Sequence, residues 1–386
     1  MEVKIVLGHT FGDEGKGVTV QWLCKKALEE GKRPLVMRFS GGPQAAHTIF
    51  NGRTEHICSS FGSGVFLGVP TAYTKDVYFD PICLMNEYKV LKSKGVNPTL
   101  YLAPCRIITP YDVYAGIHNS KVRSDGTCGK GIYPTFERYS NVKWEGLFGC
   151  TANPESILRA VANYYKMDRM PEYDAMFKKA WLEMQTEIYT DRPPLQDIDV
   201  LIVEGSQGLL LDMNHGFFPH VTPSKVGLNG VPECDLKNAQ VYLVTRTYTT
   251  RHGNGYEPQH PLGIDLSDKY KSNVTNEYQG DFKTGVLEVD LLNLAFQRHC
   301  IDNYLAKYHM SLNLVVTHMD VPIENHKFEV LHSGGIDGFY GQTTEVDVMD
   351  MIHKHLCYFP DRVFYNSGVE SNLIEIENYV PKHQTC

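Results

Sequence analysis

Short apolar runs alternate with longer amphipathic segments along the chain. Six runs are rich in β-branched and aromatic residues and are bounded by Gly, Pro, Asp or Asn, which predicts β-strands. They span residues 3–8, 34–39, 199–205, 239–248, 312–320 and 362–368. Apolar positions at helical spacing predict helices at 18–30, 84–94, 154–166, 172–187, 288–308 and 345–356. This alternation predicts an α/β fold in which helices flank a large, mostly parallel central sheet.

The loops that follow the predicted strands carry the most informative polar and glycine-rich sequence. In an open parallel sheet, ligands bind beyond the carboxyl ends of the strands. We therefore expect these loops to meet at one edge of the sheet. Because no internal repeat or low-complexity linker interrupts the sequence, residues 1–386 are interpreted as a single domain.

Composition and charge narrow the class of protein. The net charge is -8 and no block of Lys or Arg stands out, so a nucleic-acid-coating surface is not expected. No apolar stretch is long enough to span a membrane, and the N-terminus has no signal-peptide pattern. The ten cysteines are scattered without metal-ligand spacing, which is typical of reduced thiols. These features predict a cytoplasmic protein.

The segment "GHTFGDEGKG", residues 8–17, resembles a phosphate-binding loop between a strand and a helix. A Walker A loop has a glycine six residues before its lysine and Ser or Thr directly after it. Here Thr10 stands six residues before Lys16, and Gly17 follows it, so the ordinary nucleotide-hydrolase interpretation fails. Consecutive backbone N–H groups and a lysine still form an anion site at a helix start. The alternative is a glycine-rich turn with a solvated acid pair.

Four further loops each have a functional and a structural interpretation. A histidine such as His47, at the exit of the turn in residues 38–48, is more often structural than catalytic. Residues 124–136 form either a phosphate-binding loop or a plain surface loop. Residues 203–224 carry a density of polar side chains after a strand that seldom serves packing. Asp320, in "THMD", can read N1 and N2 of guanine or can cap a helix.

Taken in order, these loops resemble the adenylosuccinate synthetase family. The segment "GDEGKG" matches its first signature, and "GGPQAAHT", "GTCGKGIYP" and "EGSQGLLLDMNHGFFPHVT" match the next three with substitutions. The segments "TYTTRHGNG" and "THMD" match later elements, so the resemblance runs from residue 3 to about residue 370. It implies the adenylosuccinate synthetase fold, which is similar to that of P-loop nucleotidases.

The resemblance implies a two-step ligase reaction. A nucleoside triphosphate phosphorylates O6 of a 6-oxopurine nucleotide, and the amine of L-aspartate then displaces phosphate from C6. Asp13 would remove the N1 proton, His47 would donate to O6, and Lys16 would neutralise the transferring group. Asp13 and the backbone carbonyl of Ala46 would hold Mg²⁺.

The resemblance also assigns binding residues. Expected at the nucleoside triphosphate are Gly12, Glu14, Gly15, Lys16, Gly17, Thr48, Asp320, Ser367 and Gly368. Expected at the acceptor nucleotide are Asp13, Gln44, Ala45, Thr127, Cys128, Arg138, Gln207 and Thr222. Expected at L-aspartate are Thr275, Lys283, Thr284 and Arg251. The family also uses an arginine from a neighbouring subunit, for which Arg138 and Lys143 are the candidates, so a homodimer with shared sites is expected.

The main departure from the family lies at residues 273–285. Cellular members have an arginine-rich loop there that holds the aspartate carboxylates and meets the ribose 2′-hydroxyl, whereas this chain keeps only Lys283 before the Thr-Gly pair. The departure resembles the phage-encoded branch, which makes an aspartate adduct of dGMP for diaminopurine DNA. The favoured acceptor is therefore dGMP, with IMP as the alternative because Asp13 is retained. The donor is left as ATP or GTP.

Two other functional classes remain open from the sequence. A nucleotide-switch protein would hydrolyse nucleotide without needing a purine monophosphate. An inactive interaction paralogue would fit the loss of the arginine loop, but it would have little reason to keep Asp13, Lys16 and His47 together.

Overall fold

The computed structural model describes residues 1–119, 128–141, 152–190, 193, 195–264, 266, 281–368, 372–377 and 379. Its strands are β1 (Glu2–Gly8), β2 (Pro34–Arg38), β3 (His47–Asn51), β4 (Thr54–Cys58), β5 (Thr71–Tyr73), β6 (Tyr78–Phe79), β7 (Leu100–Leu102), β8 (Arg106–Ile107), β9 (Tyr189–Thr190), β10 (Val200–Gly208), β11 (Gln240–Arg246), β12 (Tyr248–His252), β13 (Phe282–Glu288), β14 (Ser311–Thr317), β15 (Lys327–His332), β16 (Gly335–Tyr340), β17 (Arg362–Tyr365) and β18 (Ile374–Glu375). All six predicted strands are confirmed. They are β1, β2, β10, β11, β14 and β17.

The α-helices of the described residues include every predicted helical segment. They are α1 (Lys16–Glu29), α2 (Pro81–Ser93), α3 (Pro110–His118), α4 (Ile132–Asn141), α5 (Pro154–Tyr165), α6 (Pro171–Glu187), α7 (Val289–Arg298), α8 (Ile301–Tyr308), α9 (Asp320–Asn325) and α10 (Glu345–His355). The prediction of one helix over 288–308 is wrong, because Cys300 adopts a left-handed conformation with φ of 48° and separates α7 from α8. Among the described residues, no helix has the length and apolar character needed to cross a membrane.

The central sheet has ten strands in the order β18-β17-β14-β11-β1-β10-β2-β5-β7-β9. All of its neighbouring strands are parallel except β17 and β18. The carboxyl ends of β1, β2, β10, β11 and β14 consequently lie along one edge, as the sequence predicts. The loops of the candidate site leave from that edge.

Alternation along the strands builds a core on each face of this sheet. Ile5 and Leu7 join a cluster that includes the apolar faces of α7 and α10, whereas Val6 joins a cluster that includes α1. A third apolar cluster includes residues of α2, α5 and α6. The predicted large sheet with flanking helices is therefore confirmed, and the single-domain organisation stays a prediction.

Within the described residues, a smaller sheet has the strand order β12-β13-β15-β16, and its first strand follows β11 in the chain. Only Thr247 separates β11 from β12. Strands β12 and β13 are antiparallel, with Thr250 opposite Thr284 and His252 opposite Phe282. This pair brings a second layer of side chains to the loop after β1.

Candidate active site

The loop between β1 and α1 is held in an unusual backbone conformation. Gly12, Asp13 and Gly15 have φ values of 90°, 56° and 92°, in the left-handed region that favours glycine. A Cβ atom on Gly15 would lie 2.6 Å from Cγ2 of Thr317, and the Thr317 hydroxyl donates to the carbonyl of Glu14 at 2.9 Å. The end of β14 therefore fixes the loop where α1 begins.

Glu14 and Lys16 are buried at the centre of this loop. The Glu14 carboxylate accepts hydrogen bonds from the backbone N–H of Thr10 at 2.6 Å and from its hydroxyl at 2.7 Å. Burial raises the pKa of Glu14 to about 7, although Lys16 and Thr10 act in the opposite direction. Burial also lowers the pKa of Lys16, against the attraction of Glu14 and Asp13. A buried lysine at a helix N-terminus is suited to bind an incoming phosphoryl group.

Asp13 lies where the loop meets β12. Its Oδ2 atom is 3.1 Å from Nε2 of His252, and 37% of its side chain is exposed. Burial of the carboxyl group raises its pKa, but the hydrogen bond and charge of His252, with the charges of Arg246 and Lys16, outweigh burial and lower the pKa to about 2. Asp13 is therefore an ionised carboxylate with positive charge on several sides.

His47, at the start of β3, is oriented by a buried carboxylate. Its Nδ1 atom lies 2.7 Å from Oε1 of Glu204, and the same carboxylate accepts from the backbone N–H and hydroxyl of Ser63. Burial lowers the pKa of His47, while burial of Glu204 is outweighed by His47, Arg38 and Ser63, so the pKa of Glu204 is lowered. The other ring nitrogen of His47, Nε2, is buried and has no hydrogen-bond partner within the described residues. This arrangement leaves Nε2 for a ligand.

Gly17 explains why the loop lacks the hydroxyl residue of a Walker A motif. A Cβ atom at Gly17 would lie 2.9 Å from Cβ of His47 and 3.2 Å from the carbonyl oxygen of Thr48. Both neighbours belong to β3, so a larger residue would displace α1 from that strand. The glycine thus brings Lys16 and His47 close together.

The acceptor-side residues are partly assembled by the turn after β2 and by the end of β10. The amide nitrogen and oxygen of the Gln44 side chain are buried without a hydrogen-bond partner in the described part of the chain, so both atoms can bind a ligand. Gln207 has a φ of 50°, and its backbone packs against Gly8 and Gly12. Of the other expected acceptor residues, Ala45 and Thr222 are buried, and burial raises the pKa of the Cys128 thiol. Ala46, the expected metal ligand, is exposed in the same turn as Gln44.

The expected donor-side residues outside the loop after β1 are Asp320, Ser367 and Gly368, beyond the carboxyl ends of β14 and β17, and Thr48 on β3. Asp320 is not a strand-terminal residue as predicted but the first residue of α9, because His318 turns the chain with φ of 59°. Its Oδ1 atom accepts a hydrogen bond from the backbone N–H of Gly368 at 3.0 Å, next to Ser367. The two loops that are expected to enclose the donor base are therefore joined by one carboxylate.

The expected aspartate-binding residues do not form a common cationic surface. Arg251 and Lys283 lie opposite each other on β12 and β13, while Thr284 lies opposite Thr250. The Arg251 guanidinium donates to the carbonyls of His220 at 3.2 Å and Asn254 at 2.7 Å, and burial lowers its pKa to about 10. Lys283 forms an ion pair with Glu257. Lys283 is thus paired, whereas Nε of Arg251 is buried and has no hydrogen-bond partner within the described residues, and Thr275 lies outside them.

Arg138, a candidate for the residue that reaches into a neighbouring subunit, is engaged within its own protomer. Its side chain is fully buried on α4, where Nε donates to Asp112 at 2.8 Å and Nη2 donates to Asp112 at 3.0 Å and to the carbonyl of Ile107 at 2.7 Å. The predicted roles of Arg138 at the acceptor and across a subunit interface stay predictions. Thr127 and Lys143 lie outside the described residues.

Four site residues were missed by sequence reasoning. Glu204 and Ser63 orient His47, while His252 and Arg246 bring positive charge to Asp13. Glu204 and His252 stand within the quoted segments "EGSQG" and "TYTTRHGNG", so their positions beside matched residues were the available signal. Ser63 gave no signal, because its glycine-rich surroundings are common in turns.

Comparison with known proteins decides the family. The sequence profile of the family described as adenylosuccinate synthetase matches residues 5–275. The chain belongs to the adenylosuccinate synthetase family. This is a family of C–N bond-forming ligases, and the profile ends well before residue 370, where the predicted resemblance ends.

Curated relatives agree with this assignment. Adenylosuccinate synthetase 1 of Pseudoalteromonas translucida is 33% identical over 305 residues, covering 69% of this chain and 68% of the relative. Adenylosuccinate synthetase of Psychrobacter cryohalolentis is 33% identical over 285 residues, covering 66% of this chain and 64% of the relative. These alignments span about two thirds of the length of each relative.

Two solved structures have a fold similar to that of nearly the whole chain. The fully ligated adenylosuccinate synthetase of Plasmodium falciparum superposes with a TM-score of 0.74 at 18% identity, covering 97% of this chain and 99% of that one. The succinoaminodeoxyadenylate synthetase of cyanophage S-2L, bound to dGMP and dATP, gives a TM-score of 0.64 at 14% identity, covering 97% and 95%. The adenylosuccinate synthetase fold is therefore confirmed over this length.

Proposed function

We propose that this protein joins L-aspartate to C6 of a 6-oxopurine nucleoside monophosphate in two steps, at the expense of a nucleoside triphosphate. The observation that carries the proposal is the arrangement of Lys16 and His47. Gly17, the residue after Lys16, lets α1 approach β3 at His47, the charge of Lys16 acts on the His47 ring, and Nε2 of His47 is left for a ligand. A phosphate-binding lysine beside an oriented histidine fits phosphoryl transfer to a purine oxygen and offers no obvious advantage to an interaction protein.

In the first step, O6 attacks the γ-phosphorus and the bond from that phosphorus to the β–γ bridging oxygen breaks. A nucleoside diphosphate leaves, and the N1 proton passes to Asp13. Because a carboxyl group with a pKa of about 2 holds a proton weakly, we infer that Asp13 first orients N1–H by accepting a hydrogen bond. Transfer then becomes favourable as phosphorylation of O6 makes N1–H more acidic.

His47 acts on O6 through Nε2. With Nδ1–H donated to Glu204, a neutral His47 has a lone pair on Nε2, so donation to O6 requires a second proton on the ring. The ionised Glu204 favours this second proton, against the burial that lowers the pKa of His47, so the imidazolium forms as negative charge develops on O6. In the second step the aspartate amine attacks C6, the C6–O6 bond breaks, and phosphate leaves while the amine loses a proton.

The oxygen donors near the loop fit Mg²⁺, which prefers carboxylate and carbonyl ligands. Asp13 is ionised and partly exposed, and Ala46 is exposed in the adjacent turn, so the Asp13 carboxylate and the Ala46 carbonyl would hold the ion. Bound Mg²⁺ would offset the negative charge of the phosphates.

For the acceptor we propose dGMP, with IMP as the second candidate. The support for dGMP is that the arginine-rich loop of cellular members is reduced to Lys283 in this chain, while Arg251 is buried and binds two backbone carbonyls through Nη2. A site that does not bind this hydroxyl has less reason to reject a deoxyribose. The cyanophage enzyme of similar fold was solved with dGMP and dATP. IMP is favoured by the carboxylate of Asp13, which meets N1–H in a purine without a 2-amino group.

A product assay tests the proposal. The protein is incubated with L-aspartate, ATP or GTP, Mg²⁺ and each of dGMP, IMP, GMP and dIMP, and the products are identified by mass spectrometry. We expect an aspartate adduct and release of phosphate, with the highest kcat/KM for dGMP. A clear preference for IMP would replace the deoxynucleotide proposal with ordinary adenylosuccinate synthesis. Nucleotide hydrolysis that does not depend on any monophosphate would contradict the ligase and support a nucleotide switch.

The donor and the assembly are part of the same proposal. The donor is ATP or GTP, and the active species is a homodimer that shares its sites. Arg138 and Lys143 are the candidates for a cation from the neighbouring subunit, and Arg138 would have to give up its ion pair with Asp112 to serve. Light scattering gives the mass of the assembly, and mixing two inactive variants tests whether activity returns through shared sites.

A further inference from the structure

His252 contacts the carboxylate of Asp13 directly. Its Nε2 atom lies 3.1 Å from Oδ2 of Asp13, and its side chain is 20% exposed. The imidazole ring also packs against Phe282, the residue paired with it on β13, with ring centroids 4.7 Å apart. The ring thus contacts both a strand neighbour and the carboxylate.

The contact belongs to a short run of bonds between β12 and the loop. Two residues before His252, the hydroxyl of Thr250 donates to the carbonyl of Gly12 at 3.3 Å. Residues 250 and 252 share one face of the strand, because side chains alternate along a strand. Alternate residues of β12 therefore hold successive residues of the loop, the first by its backbone and the second by its side chain.

The backbone of the loop is fixed, but the side chain of Asp13 is partly exposed and gains from a contact outside the loop. The backbone is in the left-handed region, and more than a third of the side chain faces solvent. Of the residues that lower the pKa of Asp13, His252 is the one that hydrogen-bonds to it. A carboxylate that has to meet N1–H gains from being held in a single rotamer.

We propose that His252 is a positioning residue for Asp13, holding Oδ2 through Nε2–H so that Oδ1 faces the N1–H group of the purine. This inference rests on the proposed two-step ligase. Nε2–H is the donor in the neutral ring as well as in the charged one, so the role needs a hydrogen-bond donor at this position and no change of charge. A glutamine amide can supply the same donor, whereas alanine cannot.

The test compares His252→Ala and His252→Gln with the wild-type protein. The first measurement is kcat and KM for dGMP, IMP and L-aspartate in the complete reaction. The second uses ATP with a heavy oxygen isotope in the β–γ bridge, and without aspartate. Reversible phosphoryl transfer to O6 moves the label into non-bridging β positions, so its rate reports the first step alone.

We expect His252→Ala to lower kcat and the isotope-exchange rate together by about 10- to 100-fold, with smaller changes in the KM for the nucleotide. His252→Gln should restore most of both rates. His309→Asn is the matched control, because His309 is an exposed histidine at the end of α8, just before β14 begins at the opposite edge of the sheet. It should leave both rates unchanged, and thermal melting should show that all variants are folded.

The outcomes separate this inference from the proposed function. If the wild-type protein makes no aspartate adduct with any nucleotide, the ligase proposal fails and this one fails with it. If the wild-type protein makes the adduct and His252→Ala matches its kcat, the positioning role is refuted while the ligase stands. If His252→Gln is as slow as His252→Ala in a folded protein, the hydrogen bond is not what His252 supplies, which also refutes the proposal.

Discussion

Nδ1 of His47 and Oε1 of Glu204 lie 2.7 Å apart, although 157 positions separate the two residues in the chain. Their strands, β3 and β10, belong to different sheets. The turn after β2 carries His47 back toward the carboxyl end of β10, where Glu204 is buried. The contact fixes which ring nitrogen remains for a ligand, so the reactivity of His47 depends on a residue that a short motif does not include.

Glu204→Gln should lower kcat by about 10²-fold or more, because an amide accepts from Nδ1–H but does not stabilise an imidazolium. The double variant His47→Ala with Glu204→Gln should be no slower than His47→Ala alone, since both changes remove the same function. Steady-state kinetics on the four proteins complete this cycle. Ser63→Ala, which removes a different hydrogen bond to the same carboxylate, should have a smaller effect on kcat. If the losses of His47→Ala and Glu204→Gln were additive in the double variant, the two residues would act independently.

Asp13→Asn should lower turnover by about 10²- to 10⁴-fold while the protein stays folded. Asparagine has nearly the same volume, tolerates the left-handed conformation of Asp13 and can still accept from His252, but it does not take a proton. Single-turnover measurement of nucleoside diphosphate formation checks this. A near-normal rate would remove Asp13 from the chemistry.

Gly17→Ala should reduce both activity and stability. Alanine is favoured over glycine in a helix by about 1 kcal/mol, but the new methyl group would lie 2.9 Å from Cβ of His47 and would push α1 and β3 apart. We expect kcat to fall by up to about 10²-fold and the melting temperature to fall because of the overpacking. Gly116→Ala in α3 is the control, since its methyl group would meet only the edge of the Pro134 ring at 3.3 Å. Equal losses of activity in the two variants would contradict the steric argument.

Asp320→Ala should change the preference between ATP and GTP. A carboxylate accepts from both N1–H and N2–H₂ of guanine, and adenine offers no such pair, so kcat/KM for GTP should fall by about tenfold or more relative to ATP. Asp320→Asn is the comparison, because its oxygen can still accept from the Gly368 N–H group. An unchanged ratio in both variants would show that Asp320 holds the loop without reading the base.

The stability of the fold should depend on pH through His9. This histidine is fully buried after β1, with Nε2 3.1 Å from the carbonyl of Leu292, and burial lowers its pKa from 6.5 to about 3. Between these values the unfolded chain binds a proton that the folded chain does not, so the free energy of unfolding falls as pH falls from about 6.5 toward 3. The slope from this group reaches at most about 1.4 kcal/mol per pH unit.

Urea denaturation between about pH 7 and pH 4.5 measures this dependence. His9→Gln lacks the titrating group, so its free energy of unfolding should fall less steeply with acid than that of the wild-type protein. The exposed His309 is again the control, and His309→Gln should follow the wild-type curve. Parallel curves for wild-type protein and His9→Gln would contradict the assignment.

The sequence alone determined the sheet and the order of its loops. Runs of β-branched residues encode strands locally, and the alternation with helices encodes parallel pairing, so six strands of the sheet and its active edge followed from pattern. Helix boundaries were less secure, as the break at Cys300 shows, because a single residue in the left-handed region ends a helix without changing the apolar spacing. The phosphate-binding loop was also readable, because its conformation depends on glycines within one short segment.

Only the tertiary structure decided which side chains touch. Glu204 contacts His47, His252 contacts Asp13, and Arg138 of α4 forms a buried ion pair with Asp112 of α3. Each contact joins elements that are far apart in the chain, and it depends on sheet register and on which face of a strand or helix a residue occupies. Local pattern does not specify those relations. A charged residue beside a motif therefore has the same appearance in the sequence whether it ends in a catalytic site or in a buried ion pair, and packing alone distinguishes the two.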